Sequence, residues 1–156
     1  MPATTIVGVI SDTHGLLRPE AVEALDGSDL ILHAGDIGSA DILETLAEIA
    51  PVIAVRGNTD RDLWAKDVPE SMAVEIGDLT VYLLHDRNLL DLNPSAAGFA
   101  AVVSGHSHEP KQEVKEGVLY FNPGSAGPKR FKLPVSLGRL VVHGRSIEPE
   151  LITLDV

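Results

Sequence analysis

Asp12, His14, Asp36, Asn58, His85, His106 and His108 are side chains of the types that hold divalent cations, and each comes just after an apolar run. Imidazole nitrogens, carboxylate oxygens and an amide oxygen suit manganese, iron, zinc, cobalt or nickel better than calcium. Seven such groups are enough for two cations that share a carboxylate. Ions held about 3.5–4 Å apart clamp the attacking and leaving oxygens of an in-line displacement. Taken alone, Asp12-Thr13-His14 describes a solvated turn as well as a metal site. Recurrence of the pattern at five separate turns favours the metal site, and four of the turns carry a glycine: Gly15, Gly35, Gly57 and Gly105. Glycine allows a tight turn and lets backbone approach a ligand closely.

These groups can meet only if the elements before them lie side by side. Ile6–Ile10 is a short apolar run rich in β-branched residues, as expected for a strand buried on both faces. Arg18–Leu25 follows as a short helix with Pro19 at its start and Gly27 beyond its end. Asp29–His33 is a second strand. A second helix begins at Ser39 or Asp41, with Ile42, Leu43, Leu46, Ile49 and Ala50 at helical spacing and Pro51 preventing its continuation. Val52–Arg56 is a third strand. This alternation predicts a parallel sheet with the polar turns gathered along one edge, where open α/β sheets place their ligand sites.

The second half of the chain changes character. Met72–Ile76 and Leu79–Leu84 read as one hairpin, and Lys111–Lys115 and Val118–Phe121 as another. Asn93–Phe99 predicts a short helix leading into the strand at Ala101–Val103. Pro134–His143 and Ser146–Leu154 predict a closing pair of strands. A parallel-rich half and an antiparallel-rich half in one domain, residues 1–156, imply two sheets packed face to face with helices outside.

The 156 residues suffice for a single core, since a chain of this size buries about 68–70% of its unfolded surface. A 44% hydrophobic and 22% charged composition argues against disorder. With 23 acidic and 12 basic residues the net charge is −11, which opposes a general electrostatic hold on nucleic acid. An acidic chain can still bind an anion where its own carboxylates are loaded with metal. The absence of cysteine excludes disulfides, thiolate ligands and cysteine nucleophiles. Met1–Thr5 lacks the basic stretch and apolar run of a signal peptide, and no run approaches the roughly 18 apolar residues of a membrane span. A soluble cytoplasmic protein is therefore expected.

In order along the chain, Asp12-Thr13-His14, Gly35-Asp36, Gly57-Asn58, His85 and Gly105-His106-Ser107-His108 resemble the ligand motifs of the calcineurin-like metallophosphoesterases. The short chain and Asn122-Pro123-Gly124-Ser125 are most similar to the compact prokaryotic phosphodiesterase branch of that family. The resemblance spans residues 6 to 131. It implies a four-layer α-β-β-α sandwich of two mixed sheets flanked by helices. It assigns Asp12, His14, Asp36 and His108 to a first metal, and Asp36, Asn58, His85 and His106 to a second. Two divalent ions are implied, manganese foremost, with iron, zinc, nickel or cobalt as alternatives. The implied activity is hydrolysis of a small phosphate ester, a diester before a monoester, by in-line attack of a metal-bridging hydroxide. Asn58 would also hydrogen-bond a phosphoryl oxygen. The alternative is a metal-binding protein-interaction scaffold of the same fold with little or no catalysis. Related proteins form dimers or tetramers, so a homodimer or homotetramer is a further expectation.

The sequence departs from the wider family at Thr59, where many members place the histidine that protonates the leaving group. A threonine hydroxyl is a poor acid at neutral pH, and general-acid catalysis is worth about 10²–10⁴ in rate. Either a preference for esters with good leaving groups is then expected, or protonation by another group such as Asp60 or solvent. Asp86 follows His85 where the family often has glycine; it is expected either to orient His85 or to stand as a solvated turn carboxylate. His33 is expected as a hydrogen-bonded core histidine or as a support for Asp36, and His143 as a surface turn residue. Arg56 and Arg61 flank the Asn58 turn as surface residues or phosphate contacts. Lys129, Arg130 and Lys132 are the one local basic cluster.

Overall fold

The structure, a computed structural model, describes residues 3–156; Met1 and Pro2 of the N-terminal segment lie outside the described residues. The first half forms β1 (Thr4–Ile10), α1 (Pro19–Leu25), β2 (Leu30–His33), α2 (Ala40–Ala47) and β3 (Val52–Ala54). The second half forms β4 (Ser71–Ile76), β5 (Leu79–Leu84), β6 (Ala101–Val103), β7 (Lys111–Lys115), β8 (Val118–Asn122), β9 (Ser136–His143) and β10 (Ser146–Thr153). One sheet runs β10-β9-β1-β2-β3 and the other β4-β5-β6-β8-β7. Both are mixed. β1, β2 and β3 are parallel to one another, and the closing β9-β10 hairpin joins the free edge of β1 antiparallel. In the second sheet β5, β6 and β8 run parallel between two antiparallel edge strands.

The alternation of side chains along β1 builds two separate apolar layers. Val7 and Val9 face inward with Leu32, Leu83, Val103, Phe121 and Leu140, forming the core between the sheets. Ile10 faces outward with Ile31, beneath Leu25 of α1 and Ile42 and Leu46 of α2. Each fully buried side chain of this kind is worth roughly 1.5–3 kcal/mol. Gly138 lets the sheets close on each other, because a Cβ there would stand 2.4 Å from the ring carbons of Phe121.

The outer face of the second sheet carries a thinner layer. Leu84, Val102 and Val118 are covered by Tyr82, Leu90 and Tyr120 rather than by an α-helix. The helix expected at Asn93–Phe99 is instead one turn, closed by an Ala97 N–H to Asn93 carbonyl bond of 3.0 Å and a Phe99 N–H to Pro94 carbonyl bond of 2.9 Å. Gly98, at φ +80°, takes the left-handed conformation that ends a helix. Two short 3₁₀ turns at Leu63–Asp67 and Arg87–Leu89 escape sequence reading because neither is long enough to show an apolar period. No helix among the described residues is long and apolar enough to cross a membrane.

Candidate metal centre

Five strand ends deliver the site. The parallel register pairs Ile10 of β1 with His33 of β2, so the turns that follow these strands run side by side. They are laced together by Asp12 N–H to Gly35 carbonyl (2.9 Å) and His14 N–H to Asp36 carbonyl (2.8 Å). From the second sheet, Gly105 N–H donates to the His85 carbonyl at 2.9 Å, so the turns after β5 and β6 are joined in the same way. Asp12, His14, Asp36, His106 and His108 all adopt positive φ, between 46° and 70°. A non-glycine residue in this region costs about 1–3 kcal/mol and persists only where its surroundings over-determine it. Two glycines admit the side chains. A Cβ on Gly57 would lie 2.1 Å from Asp36 Oδ1, and one on Gly105 would lie 2.6 Å from Asp12 Oδ2.

Six of the seven expected ligands fall into two groups, Asp12 with His14 and His108, and Asp36 with His85 and His106. Asp36 touches both, since its Oδ2 lies 3.6 Å from His14 Nε2 and 3.2 Å from His85 Nε2. Asp12 Oδ1 lies 3.4 Å from His108 Nε2 and 3.9 Å from His85 Nε2. Asn58 is exposed and stands on one cleft wall with His85 and His106.

The donors fit divalent cations. Asp12 Oδ1, His14 Nε2 and His108 Nδ1 are buried without a hydrogen-bond partner, and such groups are costly to leave unsatisfied. Burial pushes the Asp12 carboxyl above its usual range, against the opposing pull of the Ser11 hydroxyl, His85 and His108. Burial likewise lowers His108. For Asp36, burial is outweighed by hydrogen bonds from His85 and from the Thr59 amide and hydroxyl, which hold it below the usual carboxylate range. Burial also opposes protonation of His85, yet Asp36 and Asp12 raise it. This donor set lacks positive charge, which a cation supplies.

The surrounding residues correct several expectations. Asp60 is only 6% exposed, and both its oxygens accept backbone N–H groups: Oδ2 from Ile37 (3.0 Å) and Gly57 (2.9 Å), Oδ1 from Gly38 (3.1 Å). Its carboxylate bolts the Asp36 turn to the Asn58 turn, so the proton-donor role expected for it has no geometry here. Thr59 donates its amide (3.0 Å) and its hydroxyl (2.8 Å) to Asp36 Oδ1. Asp86 does not orient His85. It caps the 3₁₀ turn by accepting from Asn88 N–H, and its Oδ2 lies 3.7 Å from His106 Nε2.

His33 is the hydrogen-bonded core histidine expected. Its Nδ1 accepts from Gly35 N–H (3.1 Å), so Nε2 carries the proton and donates to Thr13 Oγ1 (3.0 Å). Arg56 pairs with Glu70, Arg61 donates to the Asn58 carbonyl, and His143 is exposed beside Thr4. Sequence reading missed the holding roles of Ser11, whose hydroxyl donates to Asp12 Oδ2 (2.7 Å), and of Asn122, whose amide donates to the Gly105 carbonyl (2.9 Å). Their signals were adjacency to Asp12 in one case and the Asn-Pro-Gly-Ser segment in the other.

The profile of the calcineurin-like phosphoesterase superfamily domain matches residues 6–145, a span that contains every one of these donors. This chain belongs to that family. Within it, a Methanothermobacter thermautotrophicus protein named "Probable metallophosphoesterase" is 38% identical over 159 aligned positions, covering 94% of this chain and 91% of the relative. An archaeal phosphodiesterase of known structure superposes with a TM-score of 0.78 at 25% identity, covering 95% of this chain and all of that one. Vacuolar protein sorting 29 from Cryptosporidium parvum also reaches a TM-score of 0.78, at 24% identity, covering 90% of this chain and 86% of that one. That likeness is of fold alone, so within the family the ligand side chains, and not the sandwich, carry the chemical argument.

Proposed function

We propose that the protein is a two-metal phosphodiesterase acting on a small phosphate ester. The observation that carries this reading is Asp36 Oδ2 standing between His14 and His85, at 3.6 and 3.2 Å, and so joining the two donor groups through one carboxylate. Asp12, His14, Asp36 and His108 would hold one ion, and Asp36, Asn58, His85 and His106 the other. The nitrogen and oxygen donor set suits manganese, iron, zinc, nickel or cobalt, and the family resemblance puts manganese foremost among them. Divalent ions in this setting lower the pKa of water and neutralise phosphoryl oxygens.

The chain's own residues then orient and restrain. Thr59 fixes Asp36 through Oδ1 and leaves Oδ2 for its imidazole neighbours. Ser11 fixes Asp12 in the same way, through Oδ2. Asn58, uncharged and exposed, can donate to a phosphoryl oxygen without repelling it. Neither residue after Asn58 supplies a proton, since the Thr59 hydroxyl is committed to Asp36 and Asp60 to backbone amides. Leaving groups must depart unaided or take a proton from solvent, which favours esters of acidic alcohols or phenols. The scaffold reading has less support, because every ligand position is filled. Nucleic acid is disfavoured as a substrate by the net charge of −11.

The test joins metal analysis to hydrolysis of bis-p-nitrophenyl phosphate. Two ions per chain and manganese-dependent turnover are expected, with both reduced in Asp36→Asn and His106→Ala. Wild-type protein that refolds normally without metal and stays inactive with manganese would overturn the enzyme reading.

A further inference from the structure

Two clefts adjoin the candidate metal centre, with Asp86 and His106 in the wall of each. The first, of about 400 Å³, is charged: Arg87, Lys111 and Lys115 surround Glu113, with the lysine Nζ atoms 3.9 and 3.8 Å from its Oε1. The second, of about 380 Å³, presents more apolar than polar surface, although Arg56, Glu70, Asp86 and Asp91 also line it. Its metal-side wall is Asn58, His85 and His106, and its apolar surface is Tyr82, Leu84 and Leu89. Tyr82 is held in place by stacking on Phe99, with ring centroids 5.3 Å apart and planes 14° from parallel. Leu89 is 74% exposed at the end of the 3₁₀ turn, an apolar side chain left facing water.

A phosphodiester carries two ester arms on one phosphorus, and the two clefts offer each arm a different environment. We propose that the apolar cleft is a subsite for a flat apolar ester arm, aryl or nucleobase in size, lying against Leu89 and Tyr82. The charged cleft then receives the second, polar arm, and the preferred substrate is an unsymmetrical diester. The inference rests on the phosphoesterase reading above and adds the class of substrate. The volume suits a single ring system, since clefts for small ligands start at about 300 Å³. An arm in that position would cover Leu89, and burial of apolar surface supplies the affinity. Phosphorus would remain beside His85 and His106, which belong to both the cleft wall and the donor groups.

The experiment compares phenylphosphonate with methylphosphonate on the manganese-loaded full chain by calorimetry, with bis-p-nitrophenyl phosphate hydrolysis measured in parallel. Each probe has one arm and is not hydrolysed. Phenylphosphonate is expected to bind about tenfold more tightly, the effect of roughly 50–60 Å² of apolar surface withdrawn from water. Leu89→Ser should cut that advantage by about threefold and leave methylphosphonate affinity unchanged. Because Leu89 is exposed, the substitution removes no core contact. Equal affinities in the wild type, or a phenyl advantage that survives Leu89→Ser intact, would overturn the cleft assignment while diester hydrolysis upheld the enzyme reading. Absence of both hydrolysis and phosphonate binding would overturn the two together.

Discussion

Replacing Asp60 tests whether this residue holds the centre together or takes part in proton transfer. Its oxygens receive three backbone N–H groups, from Ile37 at 3.0 Å, Gly57 at 2.9 Å and Gly38 at 3.1 Å. A hydrogen bond to a charged acceptor contributes about 1.5–3 kcal/mol. Ile37 and Gly57 are buried, whereas Gly38 is exposed and can turn to water. Asp60→Ala therefore leaves two orphaned amides and should cost about 3–4 kcal/mol. In a chain of this size each kcal/mol lowers Tm by about 2–4 °C, so a fall of roughly 6–16 °C is expected in the metal-free protein. Asp60→Asn keeps one oxygen for Ile37 and Gly57 and loses only the Gly38 bond, and should cost about 1–2 kcal/mol. Scanning calorimetry gives this order directly. Calorimetric titration with manganese should show affinity weakened about 10–100-fold in Asp60→Ala, because the turns carrying Asp36 and Asn58 are no longer tied. An alanine variant melting within about 2 °C of wild type with unchanged manganese affinity would refute the reasoning. An asparagine variant of wild-type stability that loses turnover only on poor leaving groups would return Asp60 to the proton-donor role.

His33 is fully buried and its pKa is lowered to about 3 from 6.5, chiefly by that burial. The unfolded chain takes up a proton below pH 6.5 that the folded chain refuses, so this contribution is whole above pH 6.5. It declines by about 1.4 kcal/mol per pH unit as pH falls from 6.5 toward 3. Urea unfolding of wild type and His33→Gln at pH 5 and pH 7 should show the steeper acid loss in the wild type only; parallel losses would contradict the assignment. Gly57→Ala places a Cβ 2.1 Å from Asp36 Oδ1 and 2.4 Å from its amide nitrogen, and should weaken manganese binding at least about tenfold in a folded protein by displacing a ligand. Circular dichroism with metal titration separates that outcome from unfolding. Across aryl methyl phosphates of graded phenol acidity, log kcat should fall steeply as leaving-group pKa rises. A flat dependence would point to an acid other than Thr59 or Asp60.

The donors were legible in the sequence because a buried parallel strand announces itself as an unbroken β-branched run, and whatever polar group follows it must stand at the sheet edge. Asp12, Asp36 and His106 were placed by that logic, and His85 by its position just after the second strand of a hairpin. What was hidden is the direction a side chain takes after the strand ends. Asp60 lies two residues from Asn58, yet its carboxylate turns beneath the loop toward Ile37 and Gly57, and no spacing rule distinguishes that from facing the cleft. Thr59 read as the absence of an acid, whereas its hydroxyl acts as a donor to Asp36. The short helix read at Asn93–Phe99 failed because one left-handed glycine outweighs a turn's worth of helical propensity. The two-sheet division, by contrast, followed from the change between a parallel-rich first half and an antiparallel-rich second half.

Left-handed backbone at Asp12, His14, Asp36, His106 and His108 bears on how such a protein can change over generations. At these positions asparagine or glycine suits the main chain better than histidine does. At about 1 kcal/mol each, the five together rival a large part of the roughly 5–15 kcal/mol that keeps a domain folded. A lineage released from the need for metal would therefore gain stability through the very substitutions that silence it. Decay of the chemistry and persistence of the sandwich run in the same direction, so non-catalytic descendants of such a fold are a thermodynamically downhill outcome.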